Sequence, residues 1–235
     1  MKPWCDWLVN LLYPDRCYLC GCVISWQTGL CPRCRQEAPY VLPPVCAICG
    51  RGEDVCVCRQ QKRAFAGCVT PFYYDGVGKR GIGQLKNTGN RTCVNGLAAE
   101  MAEVIRRYYG GIAFDVIAAV PQYAARERRR GYNPAALLAK ALSRRTGIPY
   151  APVLRKLFDT PPQKELPANQ RGGNVLGTFD VTWDVAGKTV LLVDDVITTG
   201  ATLNECAKML KIHSAAEVYA VTAAGAVLQK TGNAV

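Results

Sequence analysis

The sequence predicts an α/β fold, in which a parallel-sheet domain is preceded by a small cysteine-rich module. From residue 68 onward, apolar strand-like segments alternate with segments of helical periodicity, which is typical of a parallel sheet covered by helices on both faces. Before that point lie ten of the thirteen cysteines, all within the first 58 of the 235 residues. These observations place a cysteine-rich module at 1–62 and the α/β domain at 63–235.

The strands and helices of the α/β domain follow from local patterns. CVTPFYYD, from residue 68, is rich in β-branched and aromatic residues, and FDVIAAVP is a near-continuous apolar run, so both predict strands. Helical spacing of apolar residues predicts helices over 94–109 and 134–145, the second with Pro134 in its opening turn. GTFDV, TVLLVDD and EVYAVTAA predict the later strands, with a helix over 202–212 between the last two.

The cysteines of the first module form two sets of paired knuckles. One set has the form CxxC and CxxC with ten residues between the knuckles, and the other has CxxC and CxC with six residues between them. Four thiolates at such spacing close a tetrahedral zinc site with zinc–sulfur bonds of about 2.3 Å, and they leave no open position for catalysis. The module is therefore predicted to be a double zinc ribbon with one or two structural Zn²⁺ ions. The predicted ligands are Cys17, Cys20, Cys31, Cys34, Cys46, Cys49, Cys56 and Cys58.

Metal binding is expected to supply most of the folding free energy of this module. Few large aliphatic side chains lie between the knuckles, whereas a structural zinc site contributes on the order of 10 to 16 kcal/mol. Two alternatives stay open: Cys22 can form a second knuckle with Cys20, and the first knuckle can pair with the third. A redox CxxC is disfavoured, because no thioredoxin-like strand-to-helix context surrounds it. The remaining cysteines are expected to be small buried residues: Cys5, Cys22, Cys68, Cys93 and Cys206.

The chain is strongly basic, and much of its charge lies in one segment. The formal net charge is +11, and residues 126–171 hold eleven Lys or Arg against three acidic residues, a local balance of +8. Such a density attracts polyanions, either nucleic acid or a small phosphorylated ligand. The alternative is a solvated basic face without a ligand.

Hydropathy and the N-terminal segment bear on where the protein resides. No run of 18 or more apolar residues is present, and MKPWCDWLVNLLYPDRC is short and interrupted by Asp6. The sequence therefore predicts neither a transmembrane span nor a signal peptide. We expect a cytoplasmic protein, in which clustered cysteines bind metal more readily than they form disulfides.

The stretch TVLLVDDVITTGAT, residues 189–202, carries the most specific functional signal. Its apolar run precedes Asp194 and Asp195, which are expected at the carboxyl end of a strand, where parallel sheets bind ligands. The turn TTGAT then opens a helix whose amide groups, hydroxyls and positive dipole end form a phosphate cradle, and Gly200 lets the backbone approach closely. Carboxylates repel phosphate but accept hydrogen bonds from a vicinal diol. The segment therefore predicts a ribose 5-phosphate ligand.

The segment VLLVDDVITTGAT resembles, over its whole length, the 5-phosphoribosyl-1-pyrophosphate (PRPP) loop of type I phosphoribosyltransferases. The rest of the domain resembles the ComF/GntX branch of that superfamily through YDG, LKNTG, VPQYAARERRRGYNPAALLA, TPPQKEL and RGGNVLGTF. The cysteine knuckles also look like the zinc-binding arrangement of that family. The resemblance spans nearly the entire chain and implies a type I phosphoribosyltransferase-like domain after the zinc ribbon. Pro134 departs from it, since the family commonly has Gln at that position.

The resemblance also implies roles for particular residues. Asp194 and Asp195 would hold the ribose 2′- and 3′-hydroxyls as the catalytic pair, and Mg²⁺ would bridge pyrophosphate and ribose oxygens. Thr198 stands where purine-salvage members typically carry Asp, which disfavours hypoxanthine or guanine as the acceptor. The turn after FDVIAAVP and nearby arginines would bind pyrophosphate, and the threonine turn would bind the 5′-phosphate. The implied substrate-binding residues are Val120, Pro121, Gln122, Arg128, Arg129, Arg130, Arg171, Thr198, Thr199, Gly200, Ala201 and Thr202.

Two functional hypotheses follow. The first is a PRPP-binding protein of the ComF type that acts in competence, DNA uptake or DNA utilisation, and that transfers the phosphoribosyl group, as a glycosyltransferase, to an unknown acceptor. The second is a non-catalytic accessory protein that binds single-stranded DNA through its basic segment and zinc ribbon. The two differ in whether the site turns over, and competence proteins are expected partners in either case.

Overall fold

The computed structural model of the chain describes residues 14–25, 28–58, 62–158 and 178–228. Within those ranges it contains seven strands and six helices. The strands are β1 (Gly67–Val69), β2 (Phe72–Tyr73), β3 (Val116–Ala119), β4 (Leu154–Lys156), β5 (Phe179–Val181), β6 (Thr189–Ile197) and β7 (Glu217–Gly225). The helices are α1 (Pro32–Glu37), α2 (Gly76–Thr88), α3 (Arg91–Tyr109), α4 (Ala124–Arg130), α5 (Pro134–Thr146) and α6 (Ala201–Ile212). In the part of the chain described, no helix is both long enough and apolar enough to cross a membrane.

Five of the strands form one parallel sheet. Its order is β1-β7-β6-β3, and β2 continues alongside β7 beyond the end of β1. The remaining strands, β4 and β5, pair antiparallel in a small separate sheet. Helices connect the parallel strands, as parallel pairing requires. The predicted parallel-sheet α/β architecture is therefore confirmed.

The central strand β6 is buried on both faces, which explains its almost uninterrupted apolar sequence. Leu191 and Val193 belong to the core on the face covered by α2, α3 and α5. Val190 and Leu192 belong to the core on the other face, which α6 and the β4–β5 pair cover. Successive strand residues point to opposite faces, so each side chain fills one of the two cores. Each such side chain contributes about 1.5 to 3 kcal/mol when it is fully buried.

Strand β6 continues beyond the point at which the sequence pattern placed its end. It pairs with β7 as far as Ile197 opposite Gly225, so Asp194 and Asp195 lie within the strand. On its other side, β6 pairs with β3 only as far as Val193 opposite Ala119. The two aspartates therefore lie just beyond the carboxyl end of β3, where β6 has a strand neighbour on one side only; this open side is called the crevice below.

The first cysteine module packs directly on the α/β core. Tyr18 and Leu19 are buried in the same apolar cluster as α2, α3 and α5. Gln84 of α2 donates from Nε2 to the backbone oxygen of Leu19 at 2.8 Å. The hydroxyl of Tyr18 donates to the carboxylate of Glu100 on α3. The module is thus joined to these two helices by both apolar and polar contacts.

Gly96 of α3 gives a direct test of this junction. An ideal Cβ at Gly96 would lie 2.2 Å from Cγ of Tyr18, closer than two carbon atoms can approach. Tyr18 is buried and bonded to Glu100, so its ring cannot move away without loss of contacts. We expect Gly96→Ala to lower the free energy of unfolding by about 1 to 3 kcal/mol in urea titrations.

The matched control is Gly83→Ala in α2. A Cβ at Gly83 would have no neighbour within 4 Å. The substitution should therefore raise the free energy of unfolding by up to about 1 kcal/mol, because Ala favours helix over Gly. Equal urea midpoints for the two variants would show that Tyr18 does not occupy this contact.

Candidate functional site

The paired aspartates of β6 point to opposite faces of the sheet. Asp195 is buried, and its Oδ1 lies 3.2 Å from Nζ of Lys86, at the end of α2. Asp194 is half-buried on the opposite face, and its Oδ1 accepts from the backbone NH of Asp195 at 2.8 Å. Both residues lie beyond the end of β3, but their side chains leave opposite faces of the sheet, and only Asp195 has a cationic partner among the described ion pairs.

The environment of Asp194 favours its protonated form. Desolvation is the main cause and the charge of Asp195 the second, and together they raise the pKa of Asp194 to about 8. The backbone NH of Asp195 and the charge of Lys86 oppose this rise only in part. At neutral pH without ligand, the pair therefore carries less than two full negative charges.

This raised pKa predicts a pH dependence of stability. Between its ordinary pKa of 3.8 and the folded value of about 8, Asp194 binds a proton in the folded chain but not in the unfolded chain. Stability therefore falls as pH rises through that window, and Asp194→Asn removes this loss. We expect the ligand-free thermal midpoint of wild type to fall relative to that of Asp194→Asn between about pH 4 and pH 8. A difference that is constant with pH would contradict the assignment.

The turn after β6 has the form of an anion cradle. The side chains of Thr198, Thr199 and Thr202 are exposed, and the backbone enters α6 at Gly200, whose φ is 78°. Residues with a Cβ rarely adopt that conformation. The first amide groups of this 12-residue helix have no helical acceptors, so they are directed toward any anion in the turn. Residues 198–202 are called the phosphate loop below.

Two arginines that the sequence reasoning missed support the phosphate loop. Arg51 is 2% exposed and donates to the backbone oxygens of Ile197 and Thr198. Arg63 donates from Nη2 to the backbone oxygen of Thr199 at 3.0 Å. Neither residue stood out in the sequence, because each occurs near the cysteines rather than near the loop.

The turn after β3 lies next to the aspartates. The NH of Val120 donates to the oxygen of Val193 at 2.8 Å, and Asn133 donates to the oxygen of Val120 at 2.9 Å. Pro121 follows, and Gln122 accepts from Nη1 of Arg130 at 3.3 Å. The structure thus brings residues 120–122 and Arg130 together at the edge of the crevice.

The other predicted pyrophosphate ligands are less closely placed. Arg128 and Arg129 are exposed on α4, a helix that contributes no buried residue. Arg171 lies outside the described residues. Lys86, by contrast, is a cation at the crevice that was not predicted: the LKNTG segment was recognised, but no role was assigned to its lysine.

Eight cysteines of the N-terminal module form two compact clusters. In each cluster the four sulfur atoms all lie within 4.8 Å of one another, as the ligands of one tetrahedral zinc ion do. The first cluster is Cys17, Cys20, Cys31 and Cys34, and the second cluster is Cys46, Cys49, Cys56 and Cys58.

Neighbouring knuckles therefore pair in sequence order, and the cross-braced alternative is wrong. The donor sets fit structural Zn²⁺, because four thiolates fill its coordination shell. Cys22 is exposed, with its Sγ 3.3 Å from that of Cys20, so the expectation that it is a buried residue is also wrong. Cys68, Cys93 and Cys206 are buried as expected, and Cys5 lies outside the described residues.

Comparisons with known proteins match both parts of the chain. A family model described as a phosphoribosyl transferase domain matches residues 97–233, and one described as a double zinc ribbon domain matches residues 8–68. The chain is 31% identical over 206 residues to DNA utilization protein YhgH of Escherichia coli K12, with 86% of each chain covered. It is 41% identical over 101 residues to competence protein F of Haemophilus influenzae, covering 41% of this chain and 44% of that one.

A solved structure with a related sheet is the purine phosphoribosyltransferase from Pyrococcus horikoshii. The identity is 26% and the TM-score is 0.38, over 56% of this chain and 72% of that chain. The family assignment rests on the sequence matches, and the sheet and the cysteine clusters agree with it.

Proposed function

Because this chain belongs to the ComF family, with a double zinc ribbon and a phosphoribosyl transferase domain, we propose that it binds PRPP beside β6. One observation carries the proposal. Two carboxylates and the phosphate loop lie within one stretch of nine residues, 194–202, just beyond the point at which β3 ends. A ribose 5-phosphate matches both groups. Its diol can donate hydrogen bonds to the carboxylates, and its phosphate can accept them from the amide groups of the loop.

In this proposal the ribose hydroxyls bind Asp194 and Asp195. Asp195 would accept from one hydroxyl beside Lys86, whose Nζ lies 3.2 Å from its Oδ1. Asp194, with its pKa raised to about 8, can donate as well as accept a hydrogen bond. The 5′-phosphate lies against the phosphate loop.

The pyrophosphate group is assigned to the turn at residues 120–122. Gln122 and Arg130 form the polar edge of that turn, and Arg128, Arg129 and Arg171 are proposed to add positive charge. Mg²⁺ fits this group of ligands, because it prefers substrate phosphates with a few waters to a cage of protein ligands. When bound, it would supply charge neutralisation for the departing pyrophosphate.

Turnover would displace pyrophosphate from the anomeric carbon. A nucleophilic acceptor forms the new bond to that carbon as the bond to the pyrophosphate oxygen breaks, and the pyrophosphate leaves with the bonding electrons. The protein positions the reactants and stabilises the leaving charge. Thr198 has no carboxylate to handle a base proton, so we propose an acceptor other than hypoxanthine or guanine. The names of the relatives, competence protein F and DNA utilization protein YhgH, support a role in competence or DNA utilisation, which we propose to take place in the cytoplasm.

Titration calorimetry tests the binding step. In the presence of Mg²⁺, we expect PRPP to bind more tightly than ribose 5-phosphate or pyrophosphate alone, because it joins two groups that fit the two ends of one crevice. Absence of PRPP binding would exclude the proposal. Turnover is tested separately, by measuring pyrophosphate release when the protein, PRPP and Mg²⁺ are incubated with a metabolite extract.

A second candidate function is binding of single-stranded DNA. Among the described residues, a groove of about 500 Å³ is lined by three cations, Arg91, Lys140 and Arg144, and by no acidic side chain. Phosphate contacts release counterions, so binding of an oligonucleotide should weaken steeply between about 50 and 200 mM salt. An affinity that is flat over this range would remove the electrostatic argument.

A further inference from the structure

Arg51 connects the second cluster to the phosphate loop. Its backbone oxygen accepts from the NH of Cys46 at 2.8 Å, within the turn of the knuckle. Its side chain crosses to the sheet, where Nε donates to the oxygen of Ala226 at 2.7 Å and Nη2 to that of Ile197 at 3.0 Å. The same nitrogen donates to the oxygen of Thr198, the first residue of the phosphate loop.

These contacts hold the carboxyl ends of two strands together. Ile197 is the last residue of β6, and Ala226 follows the last residue of β7. The oxygens there accept from a guanidinium whose planar donors spread over several acceptors, which a lysine cannot do. Loss of the guanidinium would remove this donor from the oxygens of Thr198 and Ala226, whereas the oxygen of Ile197 would keep the NH of Ala226 at 2.8 Å. The cost of losing a donor at a part-buried oxygen is larger than that of losing an exposed hydrogen bond.

The knuckle that carries Arg51 is itself fixed against the sheet. Gly50, with a φ of 69°, packs so closely that a Cβ there would lie 2.6 Å from the oxygen of Cys68 in β1. The NH of Gly52 donates to the hydroxyl of Tyr73 at 3.0 Å. Arg51 also follows Cys49 of the second cluster by two residues, and its backbone oxygen accepts from the NH of Cys46, so its position is coupled to the closed form of that cluster. A site of one Zn²⁺ and four thiolates also has a net negative charge, because the thiolates outweigh the ion, and this charge favours a neighbouring guanidinium.

The chain after the second cluster adds two more connections. Arg63 donates to the oxygen of Thr199, as described above. The NH of Ala64 donates to Oδ1 of Asn204 in α6 at 2.8 Å. The phosphate loop is thus contacted from the side of the second cluster at two of its three threonines, Thr198 and Thr199, and the helix that it opens is contacted as well. The first cluster contacts α2 and α3 instead.

We propose that Arg51 is a positioning residue for the phosphate loop, and that zinc in the second cluster fixes the loop in its phosphate-binding conformation through Arg51. The effect on ligand affinity rests on the proposed function above. The effect on the loop itself does not, because it is a property of the ligand-free chain. The two zinc sites then have separate roles: the first stabilises the helical side of the core, and the second shapes the anion site.

Hydrogen exchange of the full chain without ligand tests the loop. In Arg51→Met, we expect amide exchange over residues 196–202 to be about tenfold faster than in wild type. Arg51→Lys, which keeps the charge but spans fewer oxygens, should give an intermediate rate. The control is Arg35→Met, because Arg35 is an exposed cation of the zinc module that donates to Thr28 of the same module. It should leave exchange over 196–202 unchanged.

Removal of a single thiolate tests the role of the metal. Cys56→Ser should lose one zinc and show the faster exchange over 196–202, whereas Cys20→Ser should lose one zinc without it. Equal loop exchange in Cys56→Ser and Cys20→Ser would overturn the proposed role of the second site. Wild-type loop exchange in Arg51→Met would overturn the role of Arg51. If Arg51→Met does not fold, loop exchange in Arg51→Lys tests the role of Arg51, and the comparison of Cys56→Ser with Cys20→Ser tests the role of the second zinc site.

Ligand binding then separates positioning from general stability. PRPP affinity in Mg²⁺ should fall about tenfold in Arg51→Met, with zinc content and thermal midpoint kept, and should recover in part in Arg51→Lys. An unchanged affinity would overturn the link between the loop and the ligand. If wild type itself binds no PRPP, the proposed function fails, and the exchange experiment still decides whether Arg51 and the second zinc site fix the loop.

Discussion

Asp195→Asn is expected to weaken PRPP binding about 100-fold, the largest effect of any single change in the crevice. The substitution removes a charged acceptor for a ribose hydroxyl. It also leaves Lys86, whose Nζ lies 3.2 Å from Oδ1 of Asp195, without its partner. The measurement is calorimetric titration with PRPP and Mg²⁺ at a pH near neutrality.

Two controls define what this loss means. Asp115→Asn changes a carboxylate at the opposite end of β6, where Oδ2 accepts from the NH of Thr189, and it should leave PRPP affinity unchanged. Lys86→Met removes the ion pair but keeps the acceptor, so it should cost less than Asp195→Asn. Wild-type affinity in Asp195→Asn would mean that the ribose does not bind at β6.

Cys34→Ser is expected to have the largest effect on stability. Cys34 is fully buried in the first cluster, and loss of one thiolate opens a site worth on the order of 10 to 16 kcal/mol of metal binding. That is comparable to the whole stability of a typical domain. We expect the variant to bind one zinc fewer and to show an early thermal transition of the first cluster, α2 and α3, separate from that of the sheet, because Tyr18 and Leu19 then leave the core that they share with these helices.

The matched control is Cys206→Ser in α6. Cys206 is equally buried but belongs to neither cluster, and burial raises the pKa of its thiol, so it stays protonated. The serine hydroxyl should cost about 1 to 3 kcal/mol, with full zinc content and a cooperative transition retained. Full zinc content in Cys34→Ser, measured by elemental analysis, would show that Cys34 is not a ligand.

The strands of the sheet were predictable from the sequence, because a strand that is buried on both faces has a near-continuous run of apolar residues. FDVIAAVP has one polar residue, TVLLVDD has a run of four apolar residues, and both contain strands of the parallel sheet. Helix α2 was missed, because Gly76, Gly78, Gly81 and Gly83 lower its intrinsic helix propensity. Packing explains two of them: a Cβ at Gly78 would meet the oxygen of Tyr73, and one at Gly81 would meet Leu19.

The candidate site was predictable only where its residues are contiguous in sequence. Asp194, Asp195 and the phosphate loop form one local motif, so their chemistry can be read from the chain. Lys86 contacts Asp195 and Arg51 contacts Ile197, each more than 100 residues away in sequence, and no local sequence pattern predicts such contacts. The end of β6 was placed two residues too early for a related reason: its pairing with β7, a strand distant in sequence, continues to Ile197 opposite Gly225.

The strand order has a consequence for biosynthesis. β1 is the first sheet strand to leave the ribosome, but the strand that it pairs with, β7, is the last. Until β7 has emerged, β1 has no partner in the sheet and β6 is paired only with β3. Such long-range pairing delays folding until synthesis is nearly complete. The cysteine clusters, by contrast, are encoded within the first quarter of the chain, so zinc can bind while the rest is still being made.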